Sequence, residues 1–323
     1  MVDVATVRGP VQTSALGQVL VHEHVFVLSE EIRQNYPDLW DEEERVADAV
    51  RKLRALAETG VRTIVDPTVI GLGRYIPRIQ RINAEVDINI VVATGLYTYN
   101  DIPFRFHYQG PGKVFDMPEP MADLFERDIT EGIAGTGVRA GLLKCAIEID
   151  GMTPGVERVM RAVAETHRRT GTPITVHTNP HNQSGLLAQQ LFEKEDVDLT
   201  NVVIGHCGDT TDLNYLTQLA DNGSLLGMDR FGLDALLDFE QRVDTVAELA
   251  SLGYAESMVL SHDAFCFTDW FPAGSRERVA PNWHYTHIHD DVLPALRQRG
   301  VTEEQIDTML VDNPARYLTP AIR

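Results

Sequence analysis

The sequence predicts an α/β fold: a (β/α)8 TIM barrel with a short N-terminal β extension, forming one domain over residues 1–323. Three observations predict it. Eight short apolar segments recur along the chain, nearly continuous in hydrophobicity, as strands buried on both faces of a parallel sheet are. A segment of helical period separates each from the next. Residues able to ligate metals stand at the ends of several of the eight, the edge at which such a barrel carries its chemistry. An open doubly wound sheet is the runner-up, but no Gly-rich phosphate loop follows the first segment.

Taken in order, residues 1–17 read as a short β element that turns at Arg8-Gly9-Pro10. The first barrel strand is expected over 18–26, followed by a loop as far as Pro37. Asp41, Glu42, Glu43 and Glu44 open a helix, where acids complement the positive end of the helix dipole. Val46, Val50, Leu53 and Leu56 form its apolar stripe, and Gly60 ends it. Strands are then predicted over 61–67, 89–95, 140–146, 174–178, 202–207, 225–230 and 258–263. Helices are predicted over 74–85, 121–134, 154–170, 184–195, 212–222 and 239–252, with 287–299 and 302–311 closing the chain. No linker or low-complexity tract interrupts the pattern.

Composition narrows the function. The chain carries 28 basic and 48 acidic residues, a net charge of −20. That disfavours a nucleic-acid partner, which needs a basic groove, and an anionic membrane surface. No apolar run approaches the ~20 residues of a membrane span, and the N-terminus has neither the basic nor the apolar region of a signal peptide. Cys145, Cys207 and Cys266 are odd in number and far apart, which suits free thiols in a cytoplasmic protein.

The chemistry centres on His22-Glu23-His24. In a strand, residues two apart share a face, so the two imidazoles point together and Glu23 points away. Neutral histidine is a common ligand of zinc-class metals. The fourth strand ends at Lys144, the fifth at His177, the sixth at His206 and the eighth at Asp263. A barrel brings all six to one mouth. Alternation lets only one of His262 and Asp263 face the axis, and turns Cys145 and Cys207 outward as packing residues. Four histidines and an aspartate exceed a closed four-ligand zinc site, which suggests two metals. Two metals need a bridging anion, so Lys144 is either a partner for substrate charge or a modified side chain.

With these residues in hand, the chain resembles the phosphotriesterase family of the amidohydrolase superfamily. The likeness rests on His22-Glu23-His24, Leu143-Lys144-Cys145, the single histidines closing strands five and six, and Ser261-His262-Asp263. It runs from Val7-Arg8-Gly9-Pro10 to Asp312-Asn313-Pro314-Ala315-Arg316. Gly95-Leu96-Tyr97-Thr98-Tyr99, Gly227-Met228-Asp229-Arg230-Phe231-Gly232 and Pro281-Asn282-Trp283 are similar to the lactonase branch of that family.

The resemblance implies roles. His22, His24 and Asp263 hold the more buried metal, and His177 and His206 the more exposed one. Lys144 reacts with carbon dioxide to give N6-carboxylysine, an anionic carbamate bridging both. The expected reaction is opening of lactone rings, N-acyl-homoserine lactones foremost, by a hydroxide held between the metals, whose acidity such ions raise. Weak phosphotriester hydrolysis is expected beside it. Asp263 would move the proton, Tyr97 would orient the substrate or touch the bridging hydroxide, and Arg230 would sit beneath the substrate or pair with a carboxylate. Zinc is the first expectation; the donor set also accepts cobalt, manganese or iron(II). A homodimer is implied.

Specificity is expected in residues 264–284. Phe265, Phe267, Trp270, Phe271 and Trp283 are dense there in a chain with 7% aromatics, which suggests an apolar channel for an acyl chain. The short link 231–238 is another lactonase-like trait. Asn179 departs from many relatives, and neither it nor His181 receives a role. The alternatives are a phosphotriesterase proper, an amidase or nuclease on the same barrel, and a barrel that binds without catalysis.

Overall fold

The computed structural model describes residues 3–272 and 274–321; Met1, Val2, Ala273, Ile322 and Arg323 lie outside them. Strands β1 (Asp3–Thr6) and β2 (Gly9–Gln12) pair as an antiparallel hairpin. The turn is Val7-Arg8, and Gly9-Pro10 already begin the second strand, with Gly9 at a positive φ of 113° that glycine accommodates. The hairpin is tied to the barrel through the Val7 N–H, which donates to Ile90 O at 2.9 Å.

The barrel strands are β3 (Gln18–Leu20), β5 (Val61–Asp66), β6 (Asn89–Gly95), β7 (Leu142–Ala146), β8 (Ile174–His177), β9 (Val202–Ile204), β10 (Leu225–Met228) and β11 (Met258–Leu260). Between β3 and β5 comes β4 (His24–Val27), and after β11 comes β12 (Phe265–Thr268). All neighbours in the eight-stranded sheet are parallel, in the order β3-β5-β6-β7-β8-β9-β10-β11. Among the described residues no ladder joins β3 to β11; the ring is completed further along, where β4 and β12 pair in parallel with His24 opposite Phe265. The (β/α)8 barrel expected from the alternation is therefore present. Its first strand is split, because the ladder lapses over residues 21–23.

Local chemistry explains the helices. Glu42–Glu58 starts on Asp41, whose side chain accepts the Glu44 N–H, and buries Val46, Ala49, Val50, Leu53 and Leu56. Pro154–Thr170 starts on Thr153, carries proline at its first position and stops at left-handed Gly171. The helix expected over 121–134 stops at Thr130, because Gly132 at φ 115° starts a separate turn. The last two predicted helices are interrupted. Widened turns over Ile288–Val292 and Thr308–Asp312 lead into Leu293–Gln298 and Asn313–Leu318. Each widened turn ends just before a helix with proline at its second position, Pro294 and Pro314, whose missing N–H removes a normal i→i−4 bond. No helix among the described residues is long and apolar enough to cross a membrane.

Candidate active site

Polar residues are costly inside a barrel unless paired, so the buried polar set stands out. His22, His24, Lys144, His177 and His206 are all buried at the C-terminal mouth, and Asp263 is nearly so. Asp263 Oδ1 lies 3.3 Å from His22 Nε2 and 3.2 Å from His24 Nε2. These three present ligand atoms close enough for one ion. Metal–nitrogen bonds of about 2.0–2.1 Å in a tetrahedron put ligand atoms about 3.3 Å apart, so the spacing fits. His206 Nε2 and His177 Nδ1 face each other at 2.7 Å, and Lys144 Nζ is 3.3 Å from His22 Nε2. The six residues expected at the mouth are brought together.

Each histidine has its other nitrogen occupied. His22 Nδ1 meets Asp229 Oδ2 at 2.8 Å and His206 Nδ1 meets Asp229 Oδ1 at 3.0 Å. His24 Nδ1 meets Thr68 Oγ1 at 2.7 Å, and Thr68 in turn donates to Asp66 at 2.5 Å. His177 Nε2 lies 3.4 Å from Glu148 Oε1. Such partners fix the tautomer and aim the free nitrogen at a metal. Asp229 also sits within metal-binding reach of His22 and His206, but both its oxygens are committed to their Nδ1 atoms, so it is their orienting partner.

Electrostatics favour the ligand forms. Burial lowers His22, reinforced by the charge of Lys144; it lowers His206 and takes His177 down to about 4. All three are therefore neutral near pH 7. Burial also pulls Lys144 down to about 8, bringing its free amine within reach of neutral pH. Asp263 is held well below the usual carboxylate range: burial would raise it, but His22, His24 and Arg230 outweigh that. Burial would raise Asp229 too, and His206 and His22 reverse it.

Arg230 donates from Nε to Asp263 Oδ2 and from Nη1 to Asp209 Oδ2, both at 2.9 Å. Asp209 is anchored by buried Arg242 at 2.8 Å. Tyr97 hydroxyl is 3.3 Å from His177 Nδ1 and shares a short hydrogen bond with Tyr99. Burial raises the Tyr97 phenol well above its usual value, so it stays protonated.

Above this floor lies a cleft of about 210 Å³. Phe265, Trp270, Phe271 and Trp283 line it, with Val27, Leu72, Leu233 and Leu236. Phe267 does not. Residues expected to be loop form β12; Phe267 shares its alternation with Phe265, yet its ring sits outside the cleft lining. There it packs on Trp40 at 5.3 Å and under the Arg45 guanidinium at 4.3 Å.

Alternation along a strand does not aim every one of these side chains. His206 and Asp263 lie past the ends of their strands, at positive φ of 66° and 54°, so a left-handed residue, not alternation, aims each. His262 is turned away from the site, towards Glu23. Asn179 donates to Glu148 Oε2 at 3.0 Å, and exposed His181 is outside the cleft lining. Sequence reasoning missed Asp229, Thr68, Glu148, Tyr99 and Glu23. Asp229 had a usable signal, since two ligand histidines with free Nδ1 atoms call for a buried carboxylate nearby.

A model of the phosphotriesterase family matches residues 2–318. A "phosphotriesterase homology protein" of Mycobacterium tuberculosis (strain H37Rv) is 58% identical over 317 residues, covering 98% of this chain and 97% of the relative. An "aryldialkylphosphatase" of Saccharolobus solfataricus is 40% identical over 314 residues, covering 97% and 98%. The solved structure described as the phosphotriesterase from Mycobacterium tuberculosis superposes with a TM-score of 0.97 at 58% identity, covering 98% of each chain. With the family's pattern matched over nearly its whole length and the same barrel beneath it, the chain belongs to the phosphotriesterase family.

Proposed function

We propose that the protein is a lactonase, opening N-acyl-homoserine lactones or similar acylated lactones, with weak phosphotriester hydrolysis as a side activity. The observation that carries this reading is the shape of the cleft: ionic at its floor and apolar along its walls. A lactone carbonyl suits the floor and an acyl chain suits Phe265, Trp270, Phe271 and Trp283. The family is one of metal-dependent hydrolases, and the donor set above fits a pair of divalent ions, zinc first. His22, His24 and Asp263 would hold one and His177 and His206 the other. Lys144, as its carbamate, would bridge them. That modification is supported by the burial of Lys144, which favours the free amine that attacks carbon dioxide. Bound there, such ions supply an acidified water and polarise a carbonyl or phosphoryl oxygen.

The chain's own groups do the rest. Asp263 accepts the proton of the attacking water and returns it to the alkoxide released when the ring C–O bond breaks. Arg230 keeps Asp263 ionised and turned to the floor. The Tyr97 hydroxyl orients the substrate carbonyl. The protein would act in the cytoplasm as a single-domain homodimer. Large apolar side chains exposed over residues 32–39 and 104–117, Phe104 and Val114 most of all, are surface that a second copy could cover.

A phosphotriesterase proper is the second reading, favoured by the 40% identity to the aryldialkylphosphatase. One assay separates them: rates on an acyl-homoserine lactone, a plain aliphatic lactone and an aryl phosphotriester, with Lys144→Ala as control. Lactone turnover exceeding phosphotriester turnover by orders of magnitude, and lost in Lys144→Ala, is expected. The reverse order would establish the second reading.

A further inference from the structure

Seven junctions of the barrel are strand ladders; among the described residues the eighth, between β3 and β11, has none. β3 stops at Leu20 and β11 at Leu260, just short of the residues that face the deeper metal position. Backbone bonds cross the gap, from the Asp263 N–H to His22 O at 2.9 Å and from the His24 N–H to Ala264 O at 2.8 Å, and the Ser261 hydroxyl meets His22 N and O at 2.9 Å. The buried Glu23 carboxylate gathers the most donors there. Glu23 Oε1 accepts from Ser261 Oγ at 2.8 Å, from the His262 N–H at 2.8 Å and from His262 Nδ1 at 2.6 Å. Glu23 Oε2 accepts the Ala264 N–H at 3.1 Å. The His262 tautomer follows from its surroundings: Nε2 accepts the Ile288 N–H at 3.0 Å, so Nδ1 carries the hydrogen. Glu23 is wholly buried and outside the cleft lining. Four donors drawn from residues 261–264 thus converge on one carboxylate, and Asp263 sits in the middle of that stretch, at a left-handed φ that must be held in place.

We infer that Glu23 is the positioning residue of the deeper metal site: it draws residues 261–264 onto the His22–His24 segment and sets the spacing between the His22/His24 pair and Asp263. The inference rests on the reading that these three bind metal. Glu23→Gln keeps the size of the side chain, but its amide nitrogen must face either Ala264 N–H or the three donors on the other oxygen. At least one bond becomes donor against donor, and the seam opens. Misplaced supporting groups of this kind weaken a metal site by about 10–100-fold.

The test uses the zinc-loaded full chain, equilibrated with rising concentrations of a chromophoric chelator. Wild type should release two ions per chain. Glu23→Gln should release one of them at about 10–100-fold lower chelator concentration, with the other unchanged. In a His177→Asn background, where only the deeper site remains, Glu23→Gln should weaken the remaining ion. In a His24→Asn background it should change nothing. Equal weakening in both backgrounds, or none in either, overturns the inference. If Glu23→Gln does not fold, Glu23→Asp, which keeps the carboxylate but draws it back from its donors, must show a loss confined to the same site; wild-type release of both ions would overturn the inference. A wild type that holds no pair of ions would instead defeat the metal reading itself.

Discussion

The floor and the rim of the cleft are built on opposite principles. On the floor every imidazole is buried and has its outer nitrogen engaged, by Asp229, Thr68 or Glu148. On the rim, Trp270 and Phe271 are 49% and 44% exposed, and Phe271 meets Phe265 and Trp283 only at centroid distances of 6.1 and 6.5 Å. Groups that hold reacting atoms must be fixed before substrate arrives, because correcting their positions during the reaction raises the barrier. Groups that only cover an apolar chain gain from contact area and tolerate slack. The difference teaches that rate resides in the floor and selectivity in the rim.

Four outcomes would sharpen or break that contrast. The largest concerns Lys144→Ala, which should lower kcat/KM on the order of 1000-fold for every substrate and reduce bound metal, checked by steady-state kinetics with elemental analysis. A loss confined to one substrate would make Lys144 a specificity residue and blur the division.

The next is pH stability of the metal-stripped protein. His177 falls from 6.5 in the unfolded chain to about 4 in the fold. Between those values the unfolded chain binds more protons, so stability is full above pH 6.5 and is lost as pH falls through 4, by at most roughly 3 kcal/mol from this group. His22 and His206, also lowered, act in the same direction. Thermal unfolding of chelator-treated protein from pH 7.5 to 4 checks it; a flat profile would mean the floor is not buried in solution.

Asp229→Asn comes third. It leaves the shape but removes the charge that orients two histidines, and should cost about 10–100-fold in metal affinity with KM little changed at saturating metal. The smallest effect belongs to the rim. Trp270→Ala should raise KM for a long-chain acyl lactone by about 5–10-fold, equivalent to about 1 kcal/mol of lost apolar contact, while leaving turnover of a plain lactone near wild type. A fall in kcat for both would show that the rim reaches the chemistry.

Much of this was legible in the sequence. The strands of a parallel barrel are apolar on both faces, so His177 or Lys144 at a strand end is conspicuous, and the barrel rule says where such ends meet. What escaped notice depends on three-dimensional closure. Asp229 does not stand out in the sequence, because its role depends on two oxygens lying between histidines from different strands. Glu23 was set aside because alternation points it away from the cleft; its partners lie some 240 residues later. Phe267 is indistinguishable from the rim aromatics in the sequence, because its partners Trp40 and Arg45 come from a distant part of the chain. The left-handed turns at His206 and Asp263 had no glycine or asparagine to announce them.

One contact qualifies the independence of the rim. Trp283 Nε1 donates to the His262 carbonyl at 2.7 Å, and its ring packs edge-on against Phe265 at 4.9 Å. The inner half of the aromatic wall is therefore joined to the seam at Glu23, while the bond of the outer Trp270, from its N–H to Thr268 Oγ1 at 3.2 Å, lies outside that seam. For a lineage under changing selection, the two halves offer different freedom. Outer positions can drift and sample new substrates with the catalytic machinery intact. A change at Trp283 must be matched by a compensating change at the seam, so substrate range in descendants of this chain should diverge through the outer pair first.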